Sequence, residues 1–256
     1  MSVTISNTSI SNGVINPPLV LDQLALMYDV GNRNSYTSGT TLTNMAPAQF
    51  SNGVNGTLDN VSMVTTPSDA HPYIQLETDD GANLRRIALD STISLDTDDD
   101  SRTLSIWFWS NYNATGQYAG THALLGGKYT NYWAVRSTSA TTYTTEAETN
   151  GGNDGNHDYF SNGEALNFGA WNDWTVVWDG GNAQNYINGT AVGNTYSMAT
   201  NSTFSFNRIG STSTGNGSGD RGGTWRLGGF LLYNKALSAN EVTQNNKVFR
   251  QKFSRG

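Results

Sequence analysis

The chain has 256 residues, no cysteine, 36% apolar and only 14% charged residues, and a net charge of −7. Disulfide frameworks and cysteine-based metal sites are excluded, and without a basic stripe the chain is not built to follow a nucleic-acid backbone. No run of 18 apolar residues is present and the first 30 residues show no secretory pattern, so neither a membrane-spanning helix nor insertion into a bilayer is expected.

The 7 Trp, 12 Tyr and 9 Phe set the chain apart from disordered sequences, and the 28 Gly supply turns that need positive φ. Many short strands joined by many turns is the natural reading. Residues 1–18, rich in Ser, Thr and Asn and closed by Pro17-Pro18, are expected to form an N-terminal arm. The remainder, 19–256, is expected to form one domain, a length that all-β sandwiches reach as a single unit.

Leu19 to Tyr28 reads as a strand leading into the turn Asp29-Val30-Gly31-Asn32. Residues 31–60 read as a long loop or short irregular strands. Tyr73–Glu77 and Leu84–Leu89 follow as strands, and Thr103–Trp109 is the clearest of all. There Leu104, Ile106 and Phe108 alternate with Ser105, Trp107 and Trp109, so both faces are apolar, as in a strand inside a sandwich. Ala123–Leu125, Tyr132–Arg136, Thr141–Glu148 and Trp174–Trp178 continue the pattern. Asn188-Gly189 between Asn185-Tyr186-Ile187 and Thr190-Ala191-Val192 predicts a hairpin with a type I′ turn. Phe204–Ile209 and Thr224–Tyr233 complete the strands. Ser238 and Glu241 form a capping box, with Leu237 and Val242 at the staple positions. The helix that follows carries a thin stripe of Val242, Phe249 and Phe253, which predicts a place at the edge or base of the sandwich.

Several blocks then resemble a known family. Leu104-Ser105-Ile106-Trp107-Phe108, Leu124-Leu125-Gly126-Gly127-Lys128 and Tyr132-Trp133-Ala134-Val135 resemble the first half of a laminin-G-like domain. Trp174-Thr175-Val176-Val177-Trp178-Asp179, Tyr186-Ile187-Asn188-Gly189, Arg208-Ile209-Gly210 and Tyr233-Asn234-Lys235-Ala236-Leu237-Ser238 continue it in order. The resemblance covers about residues 19–256. It implies an all-β jelly roll of the concanavalin A-like, laminin-G-like type, two antiparallel sheets with a short C-terminal helix. Members of this family bind glycans or proteins through loops at one rim, some of them with Ca²⁺. The opening Leu26-Met27-Tyr28-Asp29-Val30-Gly31-Asn32-Arg33-Asn34-Ser35-Tyr36, together with the capped helix, is similar to structural proteins of tailed phages, marine ones especially. That likeness implies a virion-surface location as capsid decoration or tail-associated protein. It also implies other virion proteins as partners and display in multiple copies or as a homo-oligomer, which an acidic surface suits.

Catalysis is not expected. Glucanases of this fold carry E-x-D-x-x-E or E-x-D-x-E on one strand; Glu146-Ala147-Glu148 lacks the intervening Asp, and Glu77-Thr78-Asp79-Asp80 lacks the second Glu. His71, His122 and His157 have no G-x-S-x-G elbow to serve. Gly217–Gly222 matches G-x-G-x-x-G but precedes a strand, so it reads as a loop. Two alternating clusters, Asp96/Asp98/Asp100 and Asp154/Asn156/Asp158, each supply part of the six to eight oxygens that Ca²⁺ requires. The first reads as a solvated turn; the second is the candidate Ca²⁺ site. The same loop, 150–163, is the candidate ligand site, with Asn153, Asp154, Asn156, His157 and Asp158 as hydrogen-bonding groups and Tyr159 and Phe160 as rings. The alternative is an ordinary Gly/Asn-rich loop. The roles weighed are a non-enzymatic virion protein touching host glycans, a secreted or cell-surface carbohydrate-binding module, and a polysaccharide-cleaving enzyme.

Overall fold

In a computed structural model the chain is described at residues 10–11, 14–15, 18–36, 38–61, 63–64, 72–76, 78–79, 83–96, 100–110, 121–128, 131–137, 143–148, 157–159, 166–167, 169–197, 203–211 and 225–253. In chain order the strands begin with β1 (Ile10–Ser11), β2 (Val14–Ile15), β3 (Leu24–Asp29), β4 (Thr41–Leu42), β5 (Gly56–Asp59), β6 (Met63–Val64) and β7 (Tyr73–Leu76). Next come β8 (Thr78–Asp79), β9 (Asn83–Leu84), β10 (Arg86–Asp96), β11 (Arg102–Ser110), β12 (Thr121–Lys128), β13 (Asn131–Ser137) and β14 (Tyr143–Glu148). The last are β15 (His157–Tyr159), β16 (Trp171–Asp179), β17 (Asn182–Ile187), β18 (Thr190–Ser197), β19 (Thr203–Ile209) and β20 (Trp225–Tyr233), followed by the helix α1 (Ala239–Phe253).

Two antiparallel sheets form the sandwich. One runs β15-β14-β13-β12-β19-β10-β5-β4; the other runs β18-β17-β16-β11-β20-β7-β6, with β3 also paired to β20. β1 with β2 and β8 with β9 make separate two-stranded ribbons.

The main core lies between the sheets. Leu104, Ile106 and Phe108 of β11 and Trp174, Val176 and Trp178 of β16 enter it from one side; Trp133, Phe204, Phe206 and Ile87 enter from the other. Trp133 stands 4.2 Å from Trp174 and 6.2 Å from Trp178, ring centre to ring centre. Phe206 meets Phe230 edge-on at 6.0 Å, so aromatic pairs join the layers at two places.

A second core lies on the outer face of the β11-β16-β20 sheet. Trp107, Val177, Leu231 and Tyr233 pack there against Val242, Phe249 and Phe253 of α1 and against Val20 and Leu24 of the incoming chain. β11 is therefore apolar on both faces, as its sequence predicts, but its second cover is a helix rather than another sheet. The helix lies across the sheet's face, not at the edge or base as its thin stripe suggested. The reason is the Gly228-Gly229 pair of β20: a Cβ on Gly228 would stand 2.5 Å from Phe253, and one on Gly229 2.5 Å from Phe249. Two missing side chains let two phenyl rings reach the sheet. Asn245 and Asn246, polar but buried, complete the contact. The Asn245 Nδ2 donates to Tyr233 Oη at 2.9 Å, and that of Asn246 to Asp173 Oδ2 at 3.1 Å.

The local signals are met. Asn188 (φ 53°) and Gly189 (φ 79°) make the two-residue turn between β17 and β18, closed by the Ile187–Thr190 pair. Ser238 N donates to Glu241 Oε2 at 2.8 Å and Glu241 N to Ser238 Oγ at 3.3 Å, which is the capping box; Leu237 and Val242 are both buried beside it. Among the described residues no helix is long and apolar enough to cross a membrane.

Candidate functional site

Of the loop 150–163, Asn153, Asp154, Asn156 and Phe160 lie outside the described residues. His157, Asp158 and Tyr159 do not sit in an irregular loop; they form β15, the edge strand of the first sheet. In register, His157 stands opposite Glu148, Asp158 opposite Ala147 and Tyr159 opposite Glu146. Asp98 also lies outside the described residues. Asp100 forms an ion pair with Arg102 at 2.9 Å, in keeping with a turn leading into β11. Among the described residues no three His, Asp or Glu groups come together as a metal would need. His71 and Gly217–Gly222 are outside the described residues as well.

The opening block 26–36 acquires a physical explanation. Asp29 ends β3 and its carboxylate is ion-paired with Lys252 of α1. A Cβ on Gly31 would lie 3.0 Å from Lys252 Cε, so the lysine stem passes close over this glycine on its way to that carboxylate. Asn32 folds the turn: its Oδ1 accepts from Asn34 N at 3.0 Å and its carbonyl from Ser35 N and Tyr36 N, both at 3.0 Å. Ser35, fully buried, accepts from Asp29 N through Oγ and donates to the Thr43 carbonyl, each at 3.3 Å. The Tyr36 hydroxyl donates to the Gly39 carbonyl at 2.9 Å, which fixes its ring.

This turn walls a cleft that the sequence did not reveal. β20 shares one edge between two strands: β3 pairs Gly229–Tyr233, and β7 pairs Trp225–Leu227. At the seam Gly228 is an extra residue in the β11 ladder, and its carbonyl accepts from Val30 N at 3.2 Å. The hollow at this seam has a volume of about 370 Å³ and is lined by Val30, Gly31, Asn32, Arg33, Tyr36, Met63 and Pro72. Val30, fully buried, sits in its wall, whereas Arg33 is exposed. Such a size is at the small end of ligand pockets. The cleft borders β6, an edge strand on the β20 side, while β15 closes the sandwich on the β13 side. β15 and the cleft thus stand at opposite edges.

A second cluster lies on the outer face of the β20 sheet. The Arg226 guanidinium stacks 4.0 Å from the Trp109 ring and 4.6 Å from that of Tyr73. Trp109 is only half-buried, whereas Trp107, Trp174 and Trp178 are core residues.

Beneath α1, Asp173 is 2% exposed. Its Oδ1 accepts from Ser105 Oγ at 2.9 Å and from Thr175 Oγ1 at 3.0 Å. Burial pushes its carboxyl up to about 6, against the pull of the hydrogen bonds from Asn246, Ser105 and Thr175. This group belongs to the helix dock rather than to either open site.

Two antiparallel sheets closed over an aromatic core define a jelly-roll sandwich. The chain belongs to the concanavalin A-like lectin/glucanase superfamily, whose laminin-G-type profile matches residues 80–243. No curated protein sequence matches the chain. Among solved structures, the binding domain of paraclostridial mosquitocidal protein 1 is similar at 16% identity and a TM-score of 0.58, over 89% of this chain and 52% of that one. The botulinum neurotoxin serotype D binding domain is similar at 13% identity and a TM-score of 0.56, over 90% and 52%. Domain 4 of AbnA, an extracellular GH43 arabinanase from Geobacillus stearothermophilus in complex with arabinotriose, is similar at 14% identity and a TM-score of 0.53, over 88% of this chain and 98% of that one. The chain spans about half the length of the toxin binding domains. Identities this low carry the fold alone.

Proposed function

We propose that this chain is a non-enzymatic, glycan-binding module displayed on a virion surface, as capsid decoration or a tail-associated protein. The observation that carries the binding part is the cleft at the β3–β7 seam. A sugar ring has an apolar face and a rim of hydroxyls. The Tyr36 ring and Pro72 offer a wall for the face, and the Asn32 amide offers hydrogen bonds for the rim. The neighbour solved with arabinotriose supports the reading, since its fold is shared along nearly its whole length. The virion part rests on the opening block Leu26–Tyr36 and the capped helix, and brings with it other virion proteins and multiple copies as partners.

Hydrolysis is not part of the proposal. A retaining pair of carboxylates stands about 5–5.5 Å apart across the bond it cleaves, within a dedicated strand motif that the chain lacks. Ca²⁺ at Asp154, Asn156 and Asp158 stays within the proposal as an accessory of the second edge; chelation with EDTA then leaves sugar binding at the cleft unchanged.

The test has two arms. On a glycan array the full chain binds saturably to a restricted set of sugars, and Tyr36→Ala abolishes the signal at a temperature where far-ultraviolet circular dichroism shows the variant still folded. Binding that survives in Tyr36→Ala would remove the cleft from the account. In purified particles, mass spectrometry finds the chain in many copies per virion; its absence leaves the second reading, a secreted or cell-surface carbohydrate-binding module.

A further inference from the structure

Three Asn-Gly pairs stand among the described residues: Asn52-Gly53, Asn55-Gly56 and Asn188-Gly189. A glycine after an asparagine leaves its amide nitrogen open to the side-chain carbonyl carbon, and local geometry decides whether the two meet. At Asn52 they are brought together. Both Asn52 and Gly53 are exposed. Asn52 Oδ1 accepts from Val54 N at 3.0 Å, an Asx turn whose closed ring contains Gly53 N and so folds the side chain over it. The same oxygen accepts from Asn44 Nδ2 at 3.1 Å, so two donors face the atom on which charge develops when Cγ is attacked. Asn44 is itself held in place, its Oδ1 accepting from Met27 N and its Nδ2 donating to the Ala25 carbonyl, both at 3.0 Å. Gly53 N donates to Ser51 Oγ at 3.1 Å, which gives its proton a path.

The other two pairs are built differently. Asn55 Oδ1 accepts from Asn44 N at 2.9 Å, and Gly56 is buried in β5 between Leu42 and Leu89. Asn188 Oδ1 accepts from Asp173 N at 3.0 Å and its Nδ2 donates to Asn172 Oδ1 at 3.3 Å, which ties the side chain to β16.

We propose that Asn52 is a site of spontaneous covalent modification, cyclising onto Gly53 and reopening as aspartate or isoaspartate. Gly53 N bonds to Asn52 Cγ, and the Cγ–Nδ2 bond breaks. The Gly53 proton passes through Ser51 Oγ and water to the departing Nδ2, which leaves as ammonia. Water then adds to the succinimide: at Cγ it gives an aspartyl residue, at the main-chain carbonyl an isoaspartyl one. Either product adds a carboxylate to an acidic chain. The isoaspartyl form also lengthens the backbone by one carbon just ahead of Val54, whose carbonyl accepts from Tyr28 Oη at 3.2 Å. Asn52 N donates to the Ala25 carbonyl at 2.9 Å, so the change reaches β3.

The full chain, kept in mildly alkaline buffer at physiological temperature, is followed by peptide mass spectrometry, each pair through its gain of one mass unit. In the folded chain Asn52 converts at least about 10-fold faster than Asn55 and Asn188, and in urea, where the geometry is lost, the three rates draw together. Ser51→Ala slows conversion at Asn52 about 10-fold, and Ser51→Thr, which keeps a hydroxyl, restores it. Circular dichroism checks that both variants are folded. Equal rates at the three pairs in the folded chain, or a slower rate at Asn52, overturn the proposal. A rate that a folded Ser51→Ala variant leaves unchanged overturns the proton path through Ser51.

Discussion

Trp133→Ala lowers the unfolding free energy by about 3–5 kcal/mol, the range found when a large buried aromatic is truncated. The indole is 1% exposed and reaches from β13 across the layer gap to Trp174 and Trp178 of β16. Removing it empties a space bounded by two other indoles that are themselves fixed. Trp174 is tied through Nε1 to Asn185 Oδ1 at 3.0 Å, so the cavity closes only in part. Trp133→Phe costs less, because the ring still fills most of the space and the Trp133 Nε1 has no hydrogen-bond partner among the described residues to lose. Trp133→Ala combined with Trp174→Ala costs less than the sum of the two, since they share one contact. Urea unfolding checks all three. A loss below about 1 kcal/mol for Trp133→Ala would contradict the sandwich core described above.

The second large effect depends on pH. Asp173 holds its proton to about 6 in the folded chain, against 3.8 as its ordinary value. Between these values the native state keeps a proton that the unfolded chain has released. The group's contribution to stability is therefore complete below about pH 4, falls as pH rises to 6, and is flat beyond. The displacement corresponds to about 3 kcal/mol. Asp173→Asn keeps the shape and removes the titration. Its amide oxygen still accepts from Ser105 and Thr175, and the Asn246 amide turns over to accept from the new Nδ2. Measured against the native chain, the variant's relative stability rises by about 3 kcal/mol from pH 4 to pH 7. A difference that does not change with pH would show that the carboxyl under α1 is not the titrating group.

What the sequence revealed followed from local rules. The Asn188-Gly189 turn and the Ser238/Glu241 cap are set by residues two or three apart, and both stand as predicted. The alternation of Leu104, Ile106 and Phe108 with Trp107 announced a strand buried on both faces. Which element covers the second face depended on Gly228 and Gly229, more than a hundred residues away. The same distance hid the cleft. Its walls come from 30–36, 63 and 72, and only the shared edge of β20 brings them together. Trp109 lies on the same apolar strand as Trp107, yet its ring carries Arg226, a contact that the strand's own pattern does not encode. His157, Asp158 and Tyr159 look like loop residues among so many Gly and Asn; pairing with β14 makes them a strand, a tertiary effect that local composition does not encode.

The central claim is that ligand is held at the seam between β3 and β7. Mapping amide chemical-shift changes while titrating the tightest-binding oligosaccharide tests it most directly. Saturable changes gathered at residues 30–36 and 63–64, with β15 unmoved, are the predicted result. Changes centred on residues 153–159, or spread without saturation, would contradict it.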